Sequence, residues 1–597
     1  MRNIYGIFLV LLLSSCSNFL QEYSQDLSRV ENYTDLDEVL LGDGYLPMGR
    51  IYTPNSSYTT ENKYFQAVHY MSDELDVLSW DGGGDKLYLQ EEMFGWHTWQ
   101  RDVGQAAESN SRVNEDEDWN KAYHCINTCN MVLALIDEQD TENEIEELEK
   151  TRVKGEAAFL RGLYYFTLAN LYGEPYSSAN LNKPAVPLKL SEVIEDKDYI
   201  TNTVQEVYDQ VLEDLDLAEA CLSVQETPKN HPYRADITAL YLLKSRVYLY
   251  MQNWTSAYEY AQKALEKKDA LLDLNTLEDN STDVLTKSSV ETVFSMGGHL
   301  LASSIYHQRL YRYGSLINLP VYLISDDLVA AFEEGDNDLR TQYYITQEEE
   351  IGGGYEFSGY APGWVFAKVK GWKDFGYKEV SDNFLFRTAE AYLNGAEAAA
   401  LDGQEGEARA LLQKLRDHRL VDSRPINESG EALVNLIREE RQRELCLEGH
   451  RWFDLRRYMV REKFPYTKTI VHHYTKFNYD APEYSKQYVL EPNDPAYTLA
   501  LPREVLEFRN TLGVNHRPAR SGSDYIPDIP EAEMSDAYWE GFEAGKAAGL
   551  YDLENDSEDG WKRRKTDNPY DEDEDEDAYW DWRDGFGDGY DESYYGY

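Results

Sequence analysis

The chain has 597 residues, 42% of them apolar, so it is long enough to bury a large core. Its formal net charge of −53 would repel nucleic-acid phosphates and anionic lipid headgroups, which argues against both as electrostatic partners. Aromatic residues make up 13% of the chain, with 48 Tyr and 12 Trp, and this surplus suggests rings that stack on a ligand.

The first fifteen residues have the pattern of a secretory signal peptide. Arg2 begins a positive region, and the apolar run at 7–13 is much shorter than the roughly 20 residues of a membrane-spanning helix. The run ends in the lipobox Leu-Ser-Ser-Cys, so we predict cleavage after residue 15 and acylation of Cys16, with palmitate as a typical chain. The alternative is an ordinary cleaved signal in which the cysteine is incidental.

Four further cysteines are too few for a disulfide scaffold. Cys125 and Cys129 are one helical turn apart and could place two thiolates on one face for a metal. No histidine or second cysteine pair completes a set of four ligands. We therefore predict buried, apolar cysteines and no metal site.

Helical periodicity recurs in consecutive segments, which predicts paired helices. Residues 152–172 have two apolar faces, which indicates burial between neighbours, and Gly173 and Pro175 mark the end of this helix. Thr203 and Glu206 form a capping box that opens the next helix. The predicted helices are 120–136, 152–172, 203–220, 235–251, 254–265, 383–401 and 405–416.

Pairs of about 34 residues with Ala, Tyr and Leu at packing positions suggest degenerate tetratricopeptide-like units. The predicted fold is mainly α, with helix pairs forming a right-handed scaffold that carries irregular loop and short-strand insertions. These insertions are residues 53–117 and 280–378, which contain many Gly, Tyr and Trp and few helical stripes.

The segment from Glu440 to Arg457 concentrates carboxylates, arginines and His450, which could indicate an enzyme. Alternating charges at helical spacing suit a partly buried ion-pair network equally well, and this is our prediction. His472 and His473 are interpreted as structural too, since no further ligand or nucleophile accompanies them. The signatures of zinc proteases, serine hydrolases and phosphate-binding loops are missing from the sequence. A paired-carboxylate glycosidase stays open, because 110 acidic residues supply many candidate pairs.

Several segments, taken in order, resemble the SusD/RagB family of surface lipoproteins. They are Cys16 with the following Ser-Asn-Phe-Leu, 119–123 with Asn130, 161–173, 239–248, 386–390 with 396–398, and 440–457. The last segment is the most specific of these motifs. The resemblance covers roughly residues 16–520.

The resemblance implies a binding protein without catalysis or cofactor. Such a protein would capture oligosaccharide or polysaccharide, or a peptide in the RagB branch, and deliver it to a SusC-like TonB-dependent transporter. It also implies a lipid-anchored place in the outer membrane, facing the cell exterior. A polysaccharide-degrading enzyme and an interaction scaffold are the other hypotheses.

Sugar rings present flat apolar faces, so tryptophans beside hydrogen-bonding groups are candidate contacts. For each ring the alternative is packing beneath its own loop. The candidates are Trp80, Asp81, Asp85, Trp96 and Trp99 in the first insertion, and Trp364 and Trp372 in the second.

Residues 521–597 follow the point where members of the resembled family usually end. They contain 25 acidic and 6 basic residues, and such a like-charged block predicts a largely flexible extension. A divalent-cation or partner contact is the second interpretation. Gly541, Gly545 and Gly549 would lie on one ridge of a short helix, a spacing that permits close contact with another helix.

Overall fold

A computed structural model gives the structure of the chain between residues 30 and 595. Residues 1–29, with the predicted signal peptide and Cys16, lie outside the described residues, as do 596–597. The internal segments that also lie outside are 47–48, 53–58, 63–64, 78–87, 108–116, 194–197, 225–231, 279–282, 298–300, 302–307, 313–314, 320–321, 333–336, 349–362, 370–379, 479–480, 509–511, 513–516, 527–535, 556–561, 564–566 and 571–575.

Helices form most of the described chain. They are α1 (Tyr33–Val39), α2 (Ala67–Met71), α3 (Tyr88–His97), α4 (Glu117–Leu135), α5 (Glu144–Tyr172), α6 (Val204–Leu222), α7 (Ile237–Tyr250), α8 (Trp254–Lys267), α9 (Asp326–Ala331), α10 (Arg340–Tyr343), α11 (Thr388–Leu401), α12 (Glu405–Asp417), α13 (Gly430–Glu444), α14 (Arg451–Met459), α15 (Arg503–Phe508), α16 (Asp536–Asn555) and α17 (Glu576–Tyr595). In the described part of the chain, no helix is long and apolar enough to cross a membrane.

The predicted helix pairs form a continuous series. Each of α4 to α8 packs against the next, α8 packs against α11, and α11 packs against α12 and α13. The capping box of Thr203 and Glu206 is present at the start of α6. Gly403 turns the chain between α11 and α12 with a φ of +83°, where a side chain would be strained. The mainly α architecture of helix pairs is therefore confirmed.

Two helix starts differ from the prediction by more than a single turn, and the other boundaries differ by a few residues at most. The long helix α5 begins at Glu144 rather than 152, because the side chain of Asn143 accepts hydrogen bonds from the first free amides and caps a polar first turn. Helix α11 begins at Thr388 rather than 383, because the two preceding residues form a strand that pairs with another part of the chain. A local cap decides where α5 begins, and a tertiary contact decides where α11 begins.

Short antiparallel strands lie in the two insertions and in other parts of the described chain. They are β1 (Gly49–Tyr52), β2 (Thr59–Asn62), β3 (Leu75–Val77), β4 (Thr292–Phe294), β5 (Gln308–Arg312), β6 (Ser315–Leu319), β7 (Tyr322–Ile324), β8 (Ile345–Glu348), β9 (Gly363–Phe366), β10 (Phe386–Arg387), β11 (Ile470–Asn478), β12 (Ala481–Leu490) and β13 (Ser523–Asp524). The pairs are β1–β2, β3–β7, β4–β10, β5–β6 and β8–β9, and β11–β12–β13 form a small sheet. The first insertion also contains α2 and α3, which the sequence pattern did not predict.

A large apolar core runs through most of the helix series and the bases of the insertions, and a second apolar cluster lies between α11, α12 and α13. Cys125, Cys129, Cys221 and Cys446 are buried and unpaired by disulfides, as predicted. Burial raises the pKa of the Cys125 thiol to about 12, so it stays uncharged at neutral pH. The described residues contain no cluster of His, Cys, Asp or Glu that could hold a metal ion.

The C-terminal extension contains two 20-residue helices, α16 and α17, that pack against each other. A side chain at Gly541 would overlap the Trp582 carbonyl, and one at Gly545 would overlap the Phe586 carbonyl. Moving four residues along α16, from Gly541 to Gly545, moves the contact four residues along α17, from Trp582 to Phe586. The two helices therefore run in the same direction. The predicted glycine ridge is thus the contact surface, and the expectation of a largely flexible extension does not describe these two helices.

We predict that Gly545→Ala separates α16 from α17. Alanine favours an isolated helix by about 1 kcal/mol, but here its methyl group meets backbone and should cost about 1 to 3 kcal/mol of overpacking. Amide exchange in both helices, followed by mass spectrometry, should become about tenfold faster or more. Gly406→Ala in α12, where the added methyl group meets nothing, is the matched control. Unchanged exchange in Gly545→Ala would contradict the close contact.

Candidate ligand-binding loops and the charged core that anchors them

Four predicted ligand contacts lie outside the described residues. These are Trp80, Asp81 and Asp85 in the first insertion and Trp372 in the second. The segments that flank them are described, so the structure shows how each loop is held at its base.

Trp96 and Trp99 are core residues, which corrects their prediction as sugar-stacking rings. Trp99 has no exposed surface, and its indole Nε1–H donates a hydrogen bond of 3.0 Å to the Met71 carbonyl. Its ring stacks on His472 with the ring centres 4.3 Å apart. The ring of Trp99 and its N–H group contact only the protein interior. Trp99 therefore packs beneath its own loop, which is the alternative stated for each candidate ring.

The two histidines of β11 are structural, as interpreted from the sequence. His472 lies between Trp99 and His97, and its ring nitrogens are 2.7 Å from the His97 carbonyl and 2.8 Å from the Ser72 carbonyl. His473 Nδ1 lies 2.6 Å from an Asp76 carboxylate oxygen. These contacts join β11 to the segment that leads into the first loop.

Trp364 is the predicted ligand contact that stays partly exposed in the described part of the chain. It lies in β9, opposite Gln347 of β8, in a hairpin that also contacts β7. A half-buried ring on a fixed base can stack on a flat ligand through its exposed part without a large loss of side-chain entropy.

The segment from Glu440 to Arg457 forms a fully buried network of charges, which confirms and extends its prediction as a partly buried one. Glu444 accepts hydrogen bonds from Arg387 at 3.0 Å, from Arg419 at 2.8 Å and from the Tyr344 hydroxyl at 2.9 Å. Glu440 accepts from Arg340 at 2.6 Å. Burial alone would raise the pKa of Glu444, but the surrounding guanidinium groups outweigh it and hold that pKa well below its usual value.

A second group of charges lies at the end of the same segment. Glu397 of α11 accepts two hydrogen bonds from Arg457, at 2.6 and 2.7 Å, and a third from Arg461 at 3.0 Å. Asp454 receives Arg441 at 2.7 Å and Arg457 at 2.8 Å. Burial opposes ionisation of Glu397, but the two arginines lower its pKa to about 2. The network thus ties α14 to the helix series.

The hairpin that carries Trp364 is fixed to this network at both ends. Arg340 and Tyr344 precede β8 and bind Glu440 and Glu444. Lys368 follows β9, and its Nζ donates to the Glu444 carbonyl at 2.9 Å and to the Glu448 carboxylate at 2.6 Å. The charged segment therefore sets the position of the second candidate loop.

The first candidate loop is fixed in the same way. Asp73, just before β3, accepts two hydrogen bonds from Arg451, at 2.7 and 2.8 Å, and one from Lys468 at 2.6 Å. The neighbouring Glu74 accepts the Leu447 amide at 3.0 Å. On the other side of residues 78–87, α3 leads to the buried Trp96 and Trp99. Both insertions thus start from the same charged core.

The partners of the charged segment were not found from the sequence. They are Asp73, Glu74, Arg340, Lys368, Arg387 and Arg419, and Glu291 joins the network through Arg387 and Arg419. A charged residue within an apolar run, such as Lys368 in Phe-Ala-Lys-Val, is the one pattern that could have indicated some of them. Pairing across 25 residues or more has no local periodicity to reveal it.

A frame of helix pairs with loops anchored on a buried charge network defines a binding scaffold. Two family models match this chain: one described as starch-binding associating with outer membrane, over residues 85–249, and one described as the SusD family, over 337–539. Together the matches cover more than half of the chain. The chain belongs to the SusD family.

Known relatives agree with this assignment. SusD-like protein P2 from Formosa agariphila is 27% identical over 391 residues, which are 57% of this chain and 70% of that protein. A SusD superfamily protein from Bacteroides thetaiotaomicron has a TM-score of 0.60 at 20% identity, over 81% of this chain and 100% of that chain. A SusD-like carbohydrate binding protein from Bacteroides vulgatus has a TM-score of 0.57 at 20% identity, over 82% and 98%. These two structures share the fold.

Replacing Trp99 with Ala should lower the free energy of unfolding by about 3 to 5 kcal/mol, because it leaves a large cavity in the core. Trp539→Ala in α16 removes a ring that is 52% exposed and should change the free energy of unfolding by only about 0.5 kcal/mol. Urea denaturation of both variants measures the difference. A stable Trp99→Ala protein would contradict the core assignment of this ring.

In the variant Glu397→Gln, the free energy of unfolding should depend less on pH below about pH 4.5 than it does in the wild type. Because the pKa of Glu397 is about 2 in the folded protein and 4.5 in its usual state, its contribution is complete above pH 4.5 and is lost as the pH falls towards 2. That contribution is about 3 kcal/mol at neutral pH. Denaturant titrations between pH 3 and 7 should therefore show a smaller slope in the variant. Glu431→Gln, at an exposed site, serves as control.

Proposed function

We propose that this chain is a lipid-anchored protein of the bacterial cell surface that binds an oligosaccharide or polysaccharide and delivers it to a SusC-like TonB-dependent outer-membrane transporter. Membership of the SusD family is the observation that carries the proposal. One matching family is described as starch-binding and associated with the outer membrane, and one solved relative is named a carbohydrate binding protein.

The anchor in this proposal is Cys16. The lipobox that ends there would give an acylated N-terminus, and several acyl chains on one residue hold a protein stably at a membrane. With a net charge of −53, the chain needs such a covalent anchor, because its surface charge offers no attraction to anionic lipid.

The ligand contacts in this proposal are the loop aromatics. Trp364 supplies a partly exposed ring on an anchored hairpin, and Trp80, Asp81, Asp85 and Trp372 are proposed to act beside it. Fixing the loop bases on buried ion pairs reduces the ordering cost of binding, so rings at the loop tips can present a preformed surface to a sugar.

The proposed protein binds without cleaving. The carboxylates most concentrated in sequence, those of the segment from Glu440 to Arg457, are engaged by arginine and lysine side chains inside the core. A glycosidase needs two carboxylates beside an open cleft, one of them free to exchange a proton. The engaged and buried carboxylates of this segment do not offer that arrangement.

The proposal predicts that the mature chain binds soluble α- or β-glucans and that Trp364→Ala weakens this binding by about 1 to 3 kcal/mol, the cost of losing an aromatic anchor. Trp254→Ala, which removes another half-buried ring at the start of α8, is the matched control and should bind normally. Calorimetric titration measures affinity, and a thermal melt of each variant checks folding.

Other outcomes are distinguishable in the same experiment. Release of reducing ends from the glucan during the titration would show that the protein hydrolyses the glucan, and would contradict a function limited to binding. Binding of oligopeptides in place of every glycan tested would move the chain to the RagB-like, peptide-binding type. Equal affinity in Trp364→Ala and wild type would remove Trp364 from the binding surface.

A further inference from the structure

A cavity lies where the helix series meets the charged segment, away from the loops. Its volume is about 50 Å³, enough for about four water-sized groups. Aromatic rings form part of its wall, among them Phe166 of α5, Phe384 and Phe453. The polar side chains of the wall are those of His450, Tyr250, Arg246, Thr167, Asn170, Asn383 and Glu448. We call this cavity the His450 pocket.

The imidazole of His450 presents an N–H group to the pocket. Its Nδ1 faces Arg441 Nη2 at 3.4 Å, and because a guanidinium can only donate, Nδ1 acts as the acceptor and the proton lies on Nε2. Among the described residues Nε2 has no hydrogen-bond partner, although the side chain is 95% buried. Burial, followed by Arg246, Arg441 and other nearby cations, holds the pKa of His450 well below its usual value, so the ring is neutral.

Two more donors line the same pocket. The hydroxyl of Tyr250 is without a hydrogen-bond partner in the described part of the chain, and its residue is only 3% exposed. Arg246 binds Glu390 through Nε and Nη2, at 2.6 and 2.7 Å, while its Nη1 has no partner among the described residues. Three donors without a protein acceptor therefore line one cavity, and a carboxylate is an acceptor that can engage several donors at once.

The charge around the pocket favours an anion. Glu448 is the carboxylate in the wall, and both of its oxygens are taken, by Lys368 at 2.6 Å and by Arg387 at 2.8 Å. Arg246 is the cation in the wall, and its Nη1 stays available beside its ion pair with Glu390. The wall thus offers a cation with a spare N–H group, while its carboxylate is already engaged.

The backbone around the pocket is held in an unusual conformation. Phe65 and Phe384, which meet edge to face at 5.4 Å, have φ values of 57° and 56°, in the left-handed region that disfavours bulky residues. Gly449, also in the wall, has a φ of 79°. Such strain persists where the surrounding structure enforces it, and it is concentrated at binding sites.

We propose that the His450 pocket binds a small carboxylate anion of about four non-hydrogen atoms, such as acetate. The carboxylate oxygens would accept hydrogen bonds from His450 Nε2, the Tyr250 hydroxyl and Arg246 Nη1, and the short alkyl group would contact the phenylalanine rings. This site is separate from the loop aromatics, so the proposal does not rest on glycan binding.

The test uses the full mature chain in a buffer without carboxylates. Isotope-labelled acetate, followed by ligand-observed NMR, should bind saturably, and acetamide, its neutral isostere, should bind at least tenfold more weakly. Butyrate should not compete, because the pocket is too small. Tyr250→Phe removes one hydroxyl from the pocket and should weaken acetate binding by about tenfold. Tyr241→Phe, on the same helix but outside the pocket, should bind acetate as wild type does.

Several results would overturn the proposal. These are no saturable acetate binding, equal binding of acetamide, or equal loss in Tyr250→Phe and Tyr241→Phe. His450→Gln keeps a side-chain N–H and is a second variant, with a thermal melt to confirm folding. It should retain more acetate affinity than His450→Leu, and the reverse order would also contradict the assigned role of the imidazole.

Discussion

The position of Glu444 constrains the whole domain. A carboxylate with no exposed surface is stable only when several donors surround it, since removing one partner from a buried ion pair costs about 3 to 5 kcal/mol. Arg340, Arg387 and Arg419 supply these donors from three separate parts of the chain. The helix series and the second insertion must therefore be in place together before this charge is satisfied. The folded state gains a unique arrangement, because few alternative packings would pair every charge.

This constraint also explains how a stable frame can carry variable loops. Asp73, Glu74, Arg340 and Lys368 lie at the loop bases and belong to the core, whereas the candidate ligand contacts lie further along the loops. Changes at the tips leave the buried pairs intact, so ligand preference can change without loss of fold.

The C-terminal extension assembles by a different physical principle. In the helix series, large apolar side chains fill the space between helices, and their burial supplies the stability. Between α16 and α17, glycines bring two backbones into contact, and the aromatic rings of Trp582, Phe586 and Tyr590 pack around them. This arrangement lowers the intrinsic stability of each helix, so the two helices depend on each other.

Local patterns in the sequence determined the helix pairs, the capping box at Thr203, the turn at Gly403, the buried cysteines and the glycine ridge of α16. Each depends on residues within a few turns of one another, so periodicity and capping chemistry indicate them directly. Only the tertiary structure decided that Trp96 and Trp99 are core residues, that Lys368 and Arg340 anchor one hairpin, and that His450, Tyr250 and Arg246 share one cavity. Burial of a ring and pairing of distant charges depend on which segments meet in space, and a single sequence carries no periodic trace of that.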